Sequence, residues 1–275
     1  MSEADDLTRR RAHMPEGTSV ILDARCLATA HRRLAEVLRP GMSVLDVGCG
    51  TGAITRGIAE AVAPSGSVVG VDVNQGLIER ARQAHGDIPG LSFAVADLFD
   101  LGDLTGYRNG FDIVTAARVL QWLADPLGAV RALGRAARSG GLVLVLDYDH
   151  ERGIWDPAPP ESMRAFYAAF LRWRAEAGMD NSLAGHLPAL FAAAGLEGVA
   201  STVQDEVSRR ADHDFEGRVG IWAEVAATRG RQMVADGAIT EAERARAEVE
   251  YREWGARDAR AQTLYLRAVE GRRAT

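Results

Sequence analysis

The chain is 275 residues long, with a formal net charge of −6, 47% hydrophobic residues and no lysine among its 32 basic residues. That length can bury one elaborated domain of an ordinary globular enzyme, and the acidic balance argues against a broad nucleic-acid surface. Without lysine there is no Schiff base, no phosphate-loop ammonium and no protein-kinase ion pair; the two cysteines, Cys26 and Cys49, supply neither a disulfide framework nor zinc-ligand spacing.

Residues 1 to about 17 are polar and read as a loose end without the apolar core of a signal peptide. No run reaches the ~18 apolar residues of a membrane span, so a reducing cytoplasm is the expected compartment. From Ser19 to Leu38 the residues Ile21, Leu22, Leu27, Leu34, Val37 and Leu38 follow a helical stripe, which Pro40–Gly41 stops. Short apolar runs then predict strands at Ser43–Val47, Ser67–Asp72, Ser92–Ala96, Phe111–Ala116 and Gly141–Asp147. Helical patterns at Ala53–Ala63, Gln75–His85 and Leu127–Ala137 lie between them. Continuous Val/Ile/Leu strands spaced by crossover helices indicate a parallel sheet covered on both faces.

After Asp149 the pattern changes. Residues 155–160, Trp-Asp-Pro-Ala-Pro-Pro, read as a rigid connector into an aromatic-rich helix from about Glu161 to Ala177 and a second from about Leu183 to Ala194. Gly198–Val207 reads as a strand. A helical pair follows at about Glu216–Ala235 and Glu241–Trp254, the second opened by Thr240 and Glu243 in capping-box spacing, and Thr263–Val269 reads as a last strand. With no internal repeat, the expectation is a single domain over residues 1–275. It has a core at about 19–150, a helical cap and insertion at about 151–195 and 214–257, and a strand pair at about 198–207 and 263–269.

The densest chemical signal is VLDVGCGTG, Val44–Gly52, where the first strand turns into the first crossover helix. Glycines at 48, 50 and 52 let a ligand lie against bare backbone at a helix N-terminus. With Ala53 the run also meets the relaxed dinucleotide pattern, so the glycines alone leave a nicotinamide cofactor open. Asp46, inside the strand, would be a second anion beside a pyrophosphate, but it suits a ligand with a cationic group. Asp72 ends the second strand, where an acid can take both hydroxyls of a ribose. The two acids bracket a ligand with an ammonium at one end and a ribose at the other, and S-adenosylmethionine has both without a phosphate.

From about Leu34 to Asp149 the chain resembles the class I S-adenosylmethionine-dependent methyltransferases. LDVGCGTG is similar to that family's first motif and GVDVN to its acidic second. VADLF (Val95–Phe99) is similar to the third, FDIVTAARVLQWLADP (Phe111–Pro126) to the fourth, and RSGGLVLVLDYD (Arg138–Asp149) to the approach to the fifth strand. The fourth motif has the form used by the small-molecule branch, which includes methyltransferase type 11 and the enzymes of ubiquinone and menaquinone biosynthesis. Thr115-Ala116-Ala117-Arg118 stands where many enzymes that methylate base or amide nitrogens carry an acid or amide, two prolines and an aromatic ring.

The resemblance implies a Rossmann-like, doubly wound α/β fold. Its seven-stranded sheet would be mostly parallel with the last strand antiparallel, and the insertion would cover the acceptor site. It places the cofactor against Asp46, Gly48, Cys49, Gly50, Gly52, Asp72, Val73, Asp97, Leu98, Arg118 and Gln121, with Asp97 facing the adenine amino group and Leu98 near the ring. S-adenosylmethionine would leave as S-adenosylhomocysteine, and no metal is implied. Beyond the motifs, Tyr148 and His150 share a face of the fifth strand if alternation continues; His150 is the candidate base or orienting group, with Tyr148 beside it. Trp155, Trp173, Trp222 and Asn181 are candidate walls of an apolar, aromatic acceptor pocket. Cys49 reads as a small backbone-contact residue, and His31 as a solvated helix residue.

The expected activity is methyl transfer to a carbon, nitrogen or oxygen of a small metabolite, of the kind met in natural-product biosynthesis. Nucleic-acid or protein methylation and a non-catalytic cofactor-binding relative are the alternatives. The expected state is a monomer or homodimer with a small-molecule acceptor and no nucleic-acid or membrane partner.

Overall fold

The computed structural model describes residues 3–15, 23, 25–101 and 110–275. Five strands follow the predicted order: β1 (Ser43–Val47), β2 (Ser67–Asp72), β3 (Leu91–Val95), β4 (Phe111–Ala117) and β5 (Ala137–Asp156). With β6 (Leu196–Val203), β7 (Glu206–Arg209) and β8 (Ala261–Arg273) they form one sheet, ordered β3-β2-β1-β4-β5-β8-β6, with β7 also on β8. The first five pair in parallel, and β8 runs antiparallel to β5, β6 and β7. The winding direction reverses between β1 and β4, and their C-terminal ends open the crevice where ligands of such sheets bind.

Strand residues alternate between two apolar layers. Val44, Ile113, Leu142 and Leu144 pack on the side of α4 (Ala53–Val62) and α5 (Gln75–His85). Leu45, Val114, Val143 and Val145 pack on the side of α6 (Pro126–Ala136) and α8 (Leu183–Ala193). Burial on both faces explains why these strands read as unbroken hydrophobic runs.

Several elements differ from the sequence expectation, among them the helix expected at about Glu216–Ala235, which is three short helices over Phe215–Val219, Ile221–Ala227 and Arg229–Ala235. β5 does not end near Asp147 but continues to Asp156, because β8 stays paired with it as far as Asp156↔Ala261. Trp155 and Asp156 are therefore strand residues, not connector. The strand expected at 198–207 is β6 followed by β7, interrupted at Gln204–Asp205, where the Asp205 carboxylate takes the Leu266 amide and the Arg267 guanidinium. The long helix expected from Ser19 is, in its described part, α2 (Leu27–Ala30) and α3 (Arg32–Val37), broken at His31; Ile21 and Leu22 lie outside the described residues. His31 is not solvated: its ring is fully buried with Nε2 3.2 Å from Thr115 Oγ1, and burial, with Arg118 adding, lowers its pKa to about 3.

The cap has its own apolar core. α7 (Glu161–Glu176), α9 (Phe215–Val219), α10 (Ile221–Ala227), α11 (Arg229–Ala235) and α12 (Glu241–Arg257) enclose Met163, Phe166, Phe170, Trp173, Met233 and Tyr251. The predicted capping box at Thr240 and Glu243 opens α12. The N-terminal stretch, expected to be loose, contains α1 (Glu3–Ala12), which is fastened to this cap. Thr8 donates to the Ala177 carbonyl, Arg11 pairs with Asp236, and Arg229 donates to the carbonyls of Arg11, Ala12 and His13 at the helix end. Buried guanidiniums here do the work of a C-terminal helix cap.

Candidate active site

A cavity of about 690 Å³ lies over the C-terminal ends of β1, β2 and β4, between the sheet, α1 and the cap. At one end the chain leaves β1 through Gly48, Gly50 and Gly52, all at positive φ. The amides of Gly48 and Cys49 both donate to the Val71 carbonyl, at 2.7 and 3.0 Å, which folds the turn over β2. A Cβ on Gly48 would come within 2.3 Å of Val119 Cγ2, so the bare backbone there is a packing requirement. Gly52 starts α4 but does not line the cavity; a Cβ there would meet the Phe93 ring at 2.8 Å.

Three acids face this end. Asp46 is buried and accepts from the Thr55 hydroxyl at 2.7 Å. Burial pushes its pKa up to about 7; the Thr55 bond opposes the shift and the Asp72 charge adds to it. No described cation pairs with it. Asp72 accepts from the amides of Gly50 at 3.0 Å and Asn74 at 2.9 Å, one on each oxygen, and burial raises its pKa against those bonds. Asp97 caps a short turn through the Phe99 amide at 2.9 Å, with Leu98 buried next to it and Arg9 of α1 3.5 Å away. Val73, an apolar side chain 66% exposed, stands on the wall beyond Asp72. Cys49 is on the wall too; burial and then the nearby carboxylates of Asp46 and Asp72 raise its thiol pKa, which disfavours the nucleophilic thiolate.

Arg118 and Gln121 connect this end to the other. Arg118 has φ 62, the only positive value outside glycine among the described residues. It is held there by bonds to Tyr148 Oη at 3.0 Å and the Ala30 carbonyl at 3.1 Å, and by an ion pair with Glu206. Gln121 Oε1 lies 2.6 Å from His150 Nε2, and the Gln121 main-chain N–H donates to Asp147 at 3.1 Å. Burial lifts Asp147 to a pKa of about 6. His150 stacks on Tyr148 at 5.2 Å and meets the edges of Phe170 and Trp222 at 6.0 and 6.1 Å. Burial, with Arg174 adding, holds its pKa well below the usual imidazole range, so it is neutral near pH 7.

The aromatic end thus contains Tyr148, His150 and Trp222 of the predicted residues, and Tyr167 and Phe170 besides. Trp155, Trp173 and Asn181 stand outside it. Trp155 donates to Tyr251 at 3.0 Å, Trp173 donates to Asp236 at 2.7 Å, and Asn181 accepts from Arg174 at 2.9 Å. Each has a polar partner behind the wall that turns it away from the cavity. Sequence reasoning also missed Arg25, which lines the cavity and whose pKa is lowered by burial and by Arg118. A single arginine in an irregular stretch gives no pattern to read. Among the described residues, no group of three or more His, Cys, Asp or Glu side chains could hold a metal, and no helix is long and apolar enough to cross a membrane.

The family model of the methyltransferase domain matches residues 38–179, more than half of the chain and every strand of the sheet except β6, β7 and β8. The chain belongs to the methyltransferase domain family. Among curated proteins, this methyltransferase domain is 34% identical over 143 residues to the nocamycin O-methyltransferase of Saccharothrix syringae, covering 51% of this chain and 48% of that protein. It is 33% identical over 120 residues to the ubiquinone/menaquinone biosynthesis C-methyltransferase of Burkholderia vietnamiensis, covering 44% and 47%. The chain spans less than half the length of the curated relatives it matches. Among solved structures, the phosphoethanolamine N-methyltransferase 2 of Haemonchus contortus, in complex with S-adenosylhomocysteine, shares the fold. Its TM-score is 0.56 at 15% identity, over 100% of this chain and 61% of that one.

The residues of this methyltransferase domain fit S-adenosylmethionine. A buried carboxylate with no counter-cation among the described residues, Asp46, calls for a cationic ligand; Gly48 and Gly50 put bare backbone on the cavity wall; and exposed Val73 offers an apolar platform.

Proposed function

We propose that this methyltransferase domain transfers the methyl group of S-adenosylmethionine to a small, largely apolar and aromatic metabolite. The observation that carries the reading is one continuous cavity with acids and bare backbone at one end and an aromatic box at the other. When bound, the cofactor supplies an activated methyl electrophile on a sulfonium. Asp46 would hold the ammonium. Asp72 has one backbone donor on each oxygen and keeps acceptor capacity for two ribose hydroxyls. Asp97 would take the adenine amino group, with Val73 and Leu98 against the ring.

On the acceptor side, Tyr148, Tyr167, Phe170 and Trp222 bury a flat body and exclude water, which orients the reacting atom and favours loss of charge at sulfur. The cap encloses this end, which suits a small molecule better than a polymer. The names of two relatives, an O- and a C-methyltransferase, support small-molecule chemistry.

Calorimetric titration with S-adenosylhomocysteine should show binding. Incubation with methyl-labelled cofactor and a panel of aromatic hydroxyl, amine and carbon acceptors should then yield labelled product. Absence of binding would refute the reading. Binding without product from any acceptor would turn it into that of a non-catalytic relative.

A further inference from the structure

His150 is 9% exposed and lines the cavity, and among the described residues one of its ring nitrogens is engaged. Its Nε2 lies 2.6 Å from Gln121 Oε1. Nothing among the described residues is hydrogen-bonded to Nδ1. Which nitrogen holds the proton therefore depends on which way the Gln121 amide faces, and two groups decide that. Gln121 Nε2 donates to the Arg118 carbonyl at 3.2 Å. Arg174 Nη1 approaches Oε1 at 3.4 Å, while its Nη2 donates to the Gln121 carbonyl at 2.9 Å and its Nε to Asn181 Oδ1 at 2.9 Å. A flipped amide would set NH₂ against a guanidinium, which has no acceptor, and oxygen against a carbonyl. With oxygen facing His150, Nε2 must be the donor.

We infer that Gln121 and Arg174 are positioning residues that lock His150 as its Nε2–H tautomer, and that the bare Nδ1 selects an acceptor whose reacting atom is a hydroxyl on an aromatic or enolic ring. The lock is rigid. Arg174 is fully buried, with its guanidinium 4.7 Å from the Trp122 ring centre and 5.4 Å from that of Phe170. The His150 main chain is pinned by its own amide to the Asn181 carbonyl at 2.8 Å and by the Tyr167 hydroxyl on its carbonyl. The ring is sandwiched by Tyr148, Phe170 and Trp222, so it does not turn over to present the other nitrogen.

Of the charged and titratable groups, Arg174 acts on the imidazole's charge, Tyr148 stacks on the ring and Tyr167 holds its carbonyl; Asp147 reaches it through the Gln121 main chain and Arg118 through Tyr148, and α10 contributes the Trp222 ring. Burial and Arg174 keep the ring neutral, so the lone pair persists into the acid range.

A bare lone pair in a dry aromatic box needs a donor opposite it. A carboxylate would bring a second lone pair, and a neutral amine can attack without first losing a proton. A phenol or enol keeps its proton near pH 7 and becomes a good nucleophile only as that proton leaves. In the step, the oxygen–carbon bond forms while the carbon–sulfur bond of the sulfonium donor breaks, its electron pair going to sulfur. The O–H electron pair stays on oxygen as the proton passes to Nδ1. Positive charge leaves sulfur and appears on the imidazole, so the net charge of the cavity is constant throughout, which a low-dielectric site favours.

The acceptor class rests on the methyl-transfer reading; the tautomer does not. Long-range proton–nitrogen correlation on ¹⁵N-labelled full-length protein without ligand, assigned with His150→Asn, should show a protonated Nε2 and an unprotonated Nδ1. Arg174→Met should give mixed tautomers, and Gln121→Glu should raise the imidazole pKa by roughly 1–3 units and move the acid limb of kcat with it. With a matched phenol, aniline and aryl carboxylate, only the phenol should be turned over. His150→Asn should lower its kcat about 10²- to 10⁴-fold while S-adenosylhomocysteine affinity is kept. An Nδ1–H or mixed tautomer in the wild-type protein overturns the lock. Methylation of the aniline or carboxylate in preference to the phenol overturns the acceptor class. Failure to bind S-adenosylhomocysteine, with the tautomer as expected, would instead count against the methyl-transfer reading.

Discussion

Replacing Gly48 by alanine tests the glycine turn directly. Its φ of 70 strains an L-residue by about 1–2 kcal/mol. The added Cβ would also stand 2.3 Å from Val119 Cγ2, and overpacking of that kind costs about 1–3 kcal/mol. Gly48→Ala should therefore destabilise the chain by about 2–5 kcal/mol, read as a lower denaturant midpoint at unchanged slope. The two contributions separate in a cycle with Val119→Ala. Truncating Val119 removes the overlap but leaves the strain, so the double variant should recover about 1–3 kcal/mol relative to additivity and retain the rest. Affinity for S-adenosylhomocysteine should follow, because displaced Val119 lies on the cavity wall. A single variant as stable as wild type, or a cycle with no coupling, would refute the account of why this position is bare.

Asp72→Asn sets an NH₂ group against the amide of Gly50 or Asn74 and should weaken S-adenosylhomocysteine binding by about 1–3 kcal/mol, roughly 5- to 150-fold; unchanged calorimetric affinity would remove Asp72 from the ribose site. For Asp46, the folded pKa of about 7 exceeds the unfolded value, so its contribution to the stability of the free protein declines as pH rises from about 4 to about 7. A cationic ligand prefers the carboxylate, so binding near about pH 6 should release a proton and strengthen toward pH 7. Titrations in buffers of different ionisation heat would show this, and Asp46→Asn should abolish it. Arg229→Met keeps apolar bulk near Trp122, whose ring centre lies 4.1 Å from the Arg229 guanidinium, but frees the carbonyls of Arg11, Ala12 and His13. Stability should fall by about 1–3 kcal/mol and hydrogen exchange over α1 should quicken; equal exchange would mean that α1 is held by other contacts.

The parallel strands, the glycine turn and the acids at 46, 72 and 97 are legible in the chain because each depends on neighbours close in sequence. A buried parallel strand must be apolar on both faces, a sharp strand-to-helix turn must be free of side chains, and an acid at a strand end lies in the crevice whatever surrounds the sheet. The pairing of Tyr148 with His150 follows from strand alternation alone. Alternation could not show how far β5 runs, because its length is set by β8, more than a hundred residues later.

The aromatic end of the cavity was decided by tertiary structure. α7 is aromatic along much of its length, and its periodicity does not say which rings face the cavity. Tyr167 and Phe170 do; Trp173 turns to Asp236 and Arg11, because α1 packs against that side. Trp155 turns to Tyr251 on α12 for the same kind of reason. A buried polar tip must find a partner, and that partner can be anywhere in the chain. The sequence by itself determined the fold and the cofactor end, where local backbone geometry sets the chemistry. Only packing between distant segments determined which aromatic residues wall the far end of the cavity and which nitrogen of His150 meets Gln121.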